Sequence, residues 1–314
     1  MSSYPKLDVA VSSRTMGDQV EGTDLLLHEL LDIVELEASL PELAVRYAST
    51  PPFPHIVFDD VLRPAAIEQL YAEVRDVDGD GWRNYLHVNE RKYANRSLET
   101  WGPGLQAVTQ AFMSDRFVRF LGHLTGFDDL RADSSMDGGG LHRSVAGGFL
   151  NVHADFTAHH SAVNWQRRVN LLLYLNEEWR PDWGGDLELW STDMARCEEK
   201  IAPFGNRVVL FTTSEDSYHG HPEPMTCPPG IARQSLALYY FTEEAQPRIR
   251  STNYRGRPGD GAKTAAIYMD TQALRMYDVL KRRFRLSDET ASRWLGRANG
   301  LRRGRPGSTD DTEE

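Results

Sequence analysis

Cysteine is scarce in this 314-residue chain: only Cys197 and Cys227 are present, too few for the disulfide frameworks that staple small secreted domains. One bridge is arithmetically open, but two free thiols in a reducing compartment is the simpler reading. Long apolar runs are also missing. Nothing approaches the ~20 consecutive residues that span a bilayer, and Met1 to Gly17 lacks the apolar stretch of a signal peptide. Positive charge is in deficit as well. The net charge of −11 and pI near 5.4 argue against generic binding to nucleic acid or anionic membranes. These absences predict a soluble, cytoplasmic protein with neither nucleic acid nor membrane among its partners. The 40% hydrophobic and 26% charged residues are enough for one sizeable folded domain with appendages.

The chain changes character along its length. Residues 1–20 are polar and aperiodic. Leu26, Leu27, Leu30, Leu31 and Val34 recur at helical spacing, which predicts a helix over 24–40 capped by Thr23 or Asp24. Pro41 then ends it or opens a second short helix. Pro51-Pro52-Phe53-Pro54 breaks the chain, 55–58 reads as a short strand, and 63–74 as a helix with Pro64 in its first turn. Short runs rich in β-branched and aromatic residues follow at 148–153, 168–175, 186–190, 207–213 and 234–241, with turn residues between them. That pattern predicts a sandwich or barrel, not a βαβ fold. Beyond Phe241 the strands stop. Residues 245–262 read as loop, 264–284 and 287–301 as helices, and 304–314 as disordered. The basic residues between Lys281 and Arg305 read as a solvated helical face beside an acidic tail.

Residues two apart on a strand point to one face, so His153-Ala154-Asp155 aims an imidazole and a carboxylate at one point. Two histidines and a carboxylate on one side of an iron leave its other positions open, as non-haem Fe(II) oxygenases require. Alone, the spacing carries little. With 10 His and 46 Asp plus Glu, His-x-Asp/Glu is expected about 1.5 times by chance, and it occurs twice, again at His221-Pro222-Glu223. Its company matters more. His219 follows the strand at 207–213 and offers a second imidazole, although His221 would share its face in an extended segment. Arg233-Gln234-Ser235 then opens the last apolar strand. A guanidinium fork and a hydroxyl on one face match the distal carboxylate of a dicarboxylic cosubstrate.

Taken in order, Pro54–Asp60, Gly147–Asp155, Arg167–Asn176, Trp183–Leu189, Phe204–Phe211, His219 and Arg233-x-Ser235 form a recognisable series. It resembles the prolyl 4-hydroxylase-like branch of the Fe(II)/2-oxoglutarate-dependent dioxygenase superfamily. The resemblance implies a mainly β fold with flanking helices (α+β), a double-stranded β-helix or cupin-like jelly roll with the iron at its narrow mouth. It implies His153, Asp155 and His219 as the catalytic metal ligands, with His221 beside the metal or facing substrate. It implies Arg233 and Ser235 as the binding site for 2-oxoglutarate, with Tyr174 as a further contact, O2 as oxidant and ascorbate as reductant. The chain divides accordingly into an N-terminal extension with one amphipathic helix (1–50), a dioxygenase domain (51–243) and a C-terminal helical extension with its tail (244–314). One stretch departs from the pattern. Where many relatives have a tyrosine shortly before the first ligand, this chain reads His142-Arg143-Ser144.

The implied reaction is hydroxylation of an unactivated C–H bond in a prolyl, amino-acid-type or small-metabolite substrate, with release of succinate and CO2. Related halogenases lack the carboxylate that Asp155 supplies. Arg167 and Asn170 lie on a strand that can face the pocket, and Trp82, Asn84, Tyr85, His159 and His160 lie in segments that can line it. Whether the substrate is a peptide or a small molecule stays open, as does the oligomeric state, a homodimer through the C-terminal helices being one option. Two rival readings need less. A cupin-like metal protein without oxygenase activity needs the triad but not Arg233-x-Ser235, and a non-catalytic jelly-roll interaction module needs neither.

Overall fold

Strand alternation organises the chain. The computed structural model describes residues 16–77, 81–162 and 164–284. Residues 1–15 of the aperiodic stretch 1–20, the helix expected at 287–301 and the tail at 304–314 lie outside the described residues, while residues 16–20 are helical and not aperiodic coil. The single helix expected over 24–40 is two helices, α1 (Met16–Leu30) and α2 (Ile33–Ala38). Asp32 makes the break: its carboxylate accepts from the Glu35 backbone N–H at 3.2 Å and caps α2, while Leu31 bridges to Leu62. Pro41 sits in the first turn of α3 (Leu40–Ser49), where its missing N–H costs nothing.

Next come β1 (His55–Phe58), α4 (Pro64–Asp76), the hairpin of β2 (Arg83–Leu86) and β3 (Glu90–Asn95), then α5 (Pro103–Phe112) and α6 (Asp115–Thr125). The remaining strands are β4 (Arg131–Ala132), β5 (Gly140–Ser144), β6 (Phe149–Ala154), β7 (Trp165–Tyr174), β8 (Leu187–Trp190), β9 (Cys197–Ile201), β10 (Val208–Thr212), β11 (His219–His221), β12 (Arg233–Glu243) and β13 (Asn253–Tyr254). The helix α7 (Ala262–Phe284) begins in a compact unit ending at Tyr268 and continues into a second one that starts at Met269.

All pairings with given registers are antiparallel, in the order β1-β10-β7-β12-β5-β3-β6-β11-β8-β9. This is the jelly roll with flanking helices. Its two faces are chemically distinct. Val169, Leu171 and Leu173 of β7, Val208 and Leu210 of β10, and Leu236, Leu238 and Tyr240 of β12 pack against Leu27, Leu70, Val108, Phe112 and Leu121 of the helices. Burying each such side chain contributes about 1.5–3 kcal/mol. The alternate residues point into the concave face, where Tyr174, Leu187, Leu189, Val209 and Phe211 form a second apolar cluster. Because the second half of β7 is covered on both sides, Leu171 to Tyr174 reads as a continuous apolar run. The ends of the strand order also meet: His55 of β1 lies 2.7 Å from the Glu199 carboxylate of β9.

Candidate metal centre

The concave face collects the polar residues that the helices exclude. His153 of β6 and His219 of β11 are direct cross-strand partners, with ring centroids 4.5 Å apart. Asp155, just past β6, completes the group. Its Oδ1 lies 3.4 Å from Nε2 of His153 and its Oδ2 lies 3.5 Å from Nε2 of His219. The three ligand atoms are all within 4.8 Å of one another.

Each histidine donates its Nδ1–H to a carbonyl two residues back, His153 to Asn151 and His219 to Ser217, both at 2.9 Å. The tautomer is thereby set, and Nε2 presents a lone pair to the centre. Burial pushes His219 down to about 4, so that imidazole is neutral at physiological pH. Burial also works against charge on Asp155, but Arg167 and the two histidines outweigh it and hold the carboxylate well below its usual range. Two imidazoles that present Nε2 and one carboxylate on one side of a common point fit a divalent transition metal, Fe(II) included. His221 differs. It faces the same side, but its Nδ1 is buried without a partner, and it stands outside the triad.

Asp155 is held from behind. Its Oδ2 accepts from Nη2 of Arg167 at 3.0 Å and from Nδ2 of Asn170 at 2.7 Å. Arg167 Nε in turn donates to Asn170 Oδ1 at 2.8 Å, and Thr213 donates to the same oxygen at 3.0 Å. The Arg167 guanidinium stacks on Tyr239 and Phe156, at 3.3 and 4.6 Å from their ring centroids. A register shift between Tyr240 and Phe241 brings Arg167 to this position. Strand alternation puts residues three apart on opposite faces, so only the register shift shows that Arg167 and Asn170 both serve Asp155.

The second predicted group also assembles. Arg233 is 6% exposed; its Nε donates to the Gly185 carbonyl at 2.7 Å and its Nη2 to the Tyr174 hydroxyl at 3.0 Å. Ser235 lies directly opposite Tyr174. Among the described residues no carboxylate pairs with Arg233. A buried cation left without an anion is costly, and a ligand carboxylate supplies one in the geometry that guanidinium prefers. Gly185 makes the approach possible. Its φ of +78° suits glycine, and a Cβ there would lie 2.7 Å from Met225 Sδ and 3.2 Å from Arg233 Cδ.

On the other side of Ser235 stands His142 of β5, so the departure from the expected tyrosine falls on the pocket wall. Burial pushes His142 down to about 3. Of the other candidates, Tyr85 is opposite Lys92 on the face of the ligands. Trp82 is not at the site: it donates to the Val77 carbonyl and stacks on Arg143, which is bonded to Gln234. Asn84 alternates with Tyr85 and takes the opposite face. His159 and His160 are held by carboxylates, His160 Nδ1 at 2.7 Å from Asp137 and His159 Nε2 at 3.3 Å from Asp133.

The order of ligands, cradle and strands is that of a family. Residues 139–241 match the model described as the 2OG-Fe(II) oxygenase superfamily. The matched span contains the triad, Tyr174, Arg233 and Ser235, together with the Arg167–Asn170 pair behind Asp155. No curated protein matches the chain. Among solved structures, a Pseudomonas putida prolyl-4-hydroxylase superposes with a TM-score of 0.46 at 18% identity, over 64% of this chain and 98% of that one. A prolyl 4-hydroxylase from Phytophthora capsici gives 0.47 at 19% identity, over 89% and 80%. HygX from Streptomyces hygroscopicus, with nickel, 2-oxoglutarate and hygromycin B bound, gives 0.40 at 15% identity, over 60% and 82%.

Proposed function

We propose that this protein is an Fe(II)- and 2-oxoglutarate-dependent dioxygenase that hydroxylates an unactivated C–H bond of a prolyl, amino-acid-type or small-metabolite substrate. The observation that carries the reading is the pairing of the His153–Asp155–His219 triad with a buried Arg233 that meets no carboxylate among the described residues. The triad alone suits many metalloproteins, but the buried guanidinium beside it calls for a dicarboxylate. When bound, Fe(II) and 2-oxoglutarate supply the oxidising chemistry, consuming O2 and releasing succinate and CO2 as the substrate gains a hydroxyl group.

The protein's own share is positioning. His153, Asp155 and His219 present three donors on one side and leave the opposite side free. Arg233, Tyr174 and Ser235 hold the far carboxylate of the cosubstrate and so orient its keto-acid end towards the triad. Arg167 and Asn170 keep Asp155 ionised and aimed. Apolar neighbours such as Phe211 and Leu189 limit water on this face. Ascorbate is the reductant we expect to sustain turnover, and the cytoplasm is the compartment we expect.

Succinate release from 2-oxoglutarate with Fe(II) and ascorbate tests the assignment. Wild-type protein should turn the cosubstrate over slowly even without substrate, His153→Ala should abolish turnover, and Arg233→Ala should raise the 2-oxoglutarate Kd by about 10–100-fold. Undiminished turnover in His153→Ala would remove the metal assignment. Unchanged cosubstrate affinity in Arg233→Ala would favour the cupin-like alternative.

A further inference from the structure

The inner wall of the pocket carries a buried ion pair that the mechanism above leaves unused. Cross-strand partners share a face, and the registers run without interruption from the cosubstrate cradle to β3. Tyr174 is opposite Ser235, Ser235 opposite His142, and His142 opposite Ala94. Lys92 and Glu90 lie two and four residues before Ala94 on the same strand, so they share the face of Arg233 and the triad. Glu90 is in turn opposite Leu150, and Leu150 opposite His221.

Lys92 Nζ is 3.0 Å from Glu90 Oε2, and the other Glu90 oxygen is 2.8 Å from His87 Nε2. Burying such a pair gains little stability over apolar residues of the same size, so fold maintenance alone does not account for it. An ammonium has three donors, and among the described residues Glu90 is the one carboxylate that Lys92 meets. Its side chain is 17% exposed, so a ligand can reach it. The Tyr85 ring centroid is 5.8 Å from Nζ. Burial disfavours the charge, but Glu90 outweighs it and keeps the ammonium protonated. His142, in its field, is held neutral mainly by burial.

We propose that Lys92 recognises a carboxylate of the primary substrate, which makes that substrate a small acid of the amino-acid type and not an internal residue of a peptide. The inference rests on the dioxygenase reading. Of the other two cations that the described residues place on this face, Arg233 is committed to the cosubstrate, and Arg167 gives Nη2 to Asp155 and Nε to Asn170 while its Nη1 is buried out of solvent reach without a partner. The local charge agrees: Arg167, Lys92 and Arg233 outnumber Asp155 and Glu90 by one, which favours a carboxylate over an amide beside the ammonium. Glu90 then has a defined part: it holds the ammonium upright and charged until the substrate arrives.

The test is equilibrium binding to Co(II)-loaded protein, without O2, by calorimetry and by the visible cobalt spectrum. The probes are 2-oxoglutarate first, then each proteinogenic L-amino acid beside its carboxamide. In wild type, at least one free acid should bind about tenfold or more tightly than its amide. Lys92→Gln should bring that ratio close to one while the Kd for 2-oxoglutarate is retained, and Lys92→Arg should restore part of the preference. Should Lys92→Gln fail to fold, the uncharged pair Glu90→Gln/Lys92→Met serves in its place. The proposal is overturned if no acid is preferred over its amide in wild type, or if the preference survives removal of the ammonium. It is equally overturned if 2-oxoglutarate, and not the acid, loses affinity. Failure of wild type to bind 2-oxoglutarate at all would instead remove the dioxygenase reading, and this inference with it.

Discussion

Asn170 touches three groups at once, giving a hydrogen bond to Asp155 and receiving one each from Arg167 and Thr213. Its replacement by alanine leaves Asp155 with Arg167 alone and frees Arg167 to rotate. Outer partners of metal ligands commonly account for 10–100-fold in metal affinity. Asn170→Ala should therefore weaken Co(II) binding by about that factor, as read by titration of the cobalt absorption bands, while the far-ultraviolet circular dichroism is unchanged. An unchanged cobalt Kd would show that Arg167 alone sets the carboxylate. At this scale the sequence is legible wherever the rule is local. His153 and Asp155 are two apart, as are Arg233 and Ser235, and strand alternation puts each pair on one face. What spacing cannot decide is the choice between His219 and His221, which share a strand and a face. The difference lies in the other ring nitrogen, which is bonded to a carbonyl in His219 and buried unpartnered in His221.

Elements that pack on both faces, or cap one another across sequence, are harder to read. The β2–β3 hairpin is absent from any alternation pattern because all of β2 is exposed and the inward side of β3 carries Glu90 and Lys92, polar residues where the rule looks for apolar ones. The helix over 24–40 reads as one because its leucines keep helical phase, while the interruption depends on Asp32 taking a cap and Leu31 a bridge. The clearest remote dependence is α5. Pro103 opens it, and its next two N–H groups, on Gly104 and Leu105, donate to the Glu73 carboxylate of α4 at 2.9 and 2.8 Å. An anion at a helix N-terminus is favourable both as a cap and against the helix dipole. Glu73→Ala should cost about 1–2 kcal/mol in urea unfolding, without changing metal or cosubstrate affinity. A loss below about 0.5 kcal/mol would mean that water replaces the carboxylate.

At the scale of the whole molecule, acid stability is expected to depend on the loop carboxylates that hold His159 and His160. Burial opposes charge on Asp137, yet His160 outweighs it and holds the carboxyl at about 2, below the usual 3.8. The folded protein thus binds fewer protons than the unfolded chain between those values. The contribution is full above pH 3.8 and is lost as pH falls towards about 2, and it amounts to about 2 kcal/mol. Asp137→Asn should lower stability by up to that amount at neutral pH, and its denaturation curve should converge on that of wild type at the acid end. Parallel curves at every pH would place the contribution elsewhere.

His153 and His219 are neighbours in the sheet, facing each other across a backbone hydrogen-bonded pair of strands. An ion bound there closes no new loop of chain and organises no new element. Its effect on folding is then one of mass action, RT ln(1 + [L]/Kd), or about 2.7 kcal/mol at a hundredfold excess over Kd. The melting temperature should climb smoothly with Co(II) or Ni(II) concentration and return to its starting point on chelation, with the apoprotein folded throughout. Metal acquisition is in this sense a late and reversible event, and which ion occupies the centre follows from what the surroundings offer.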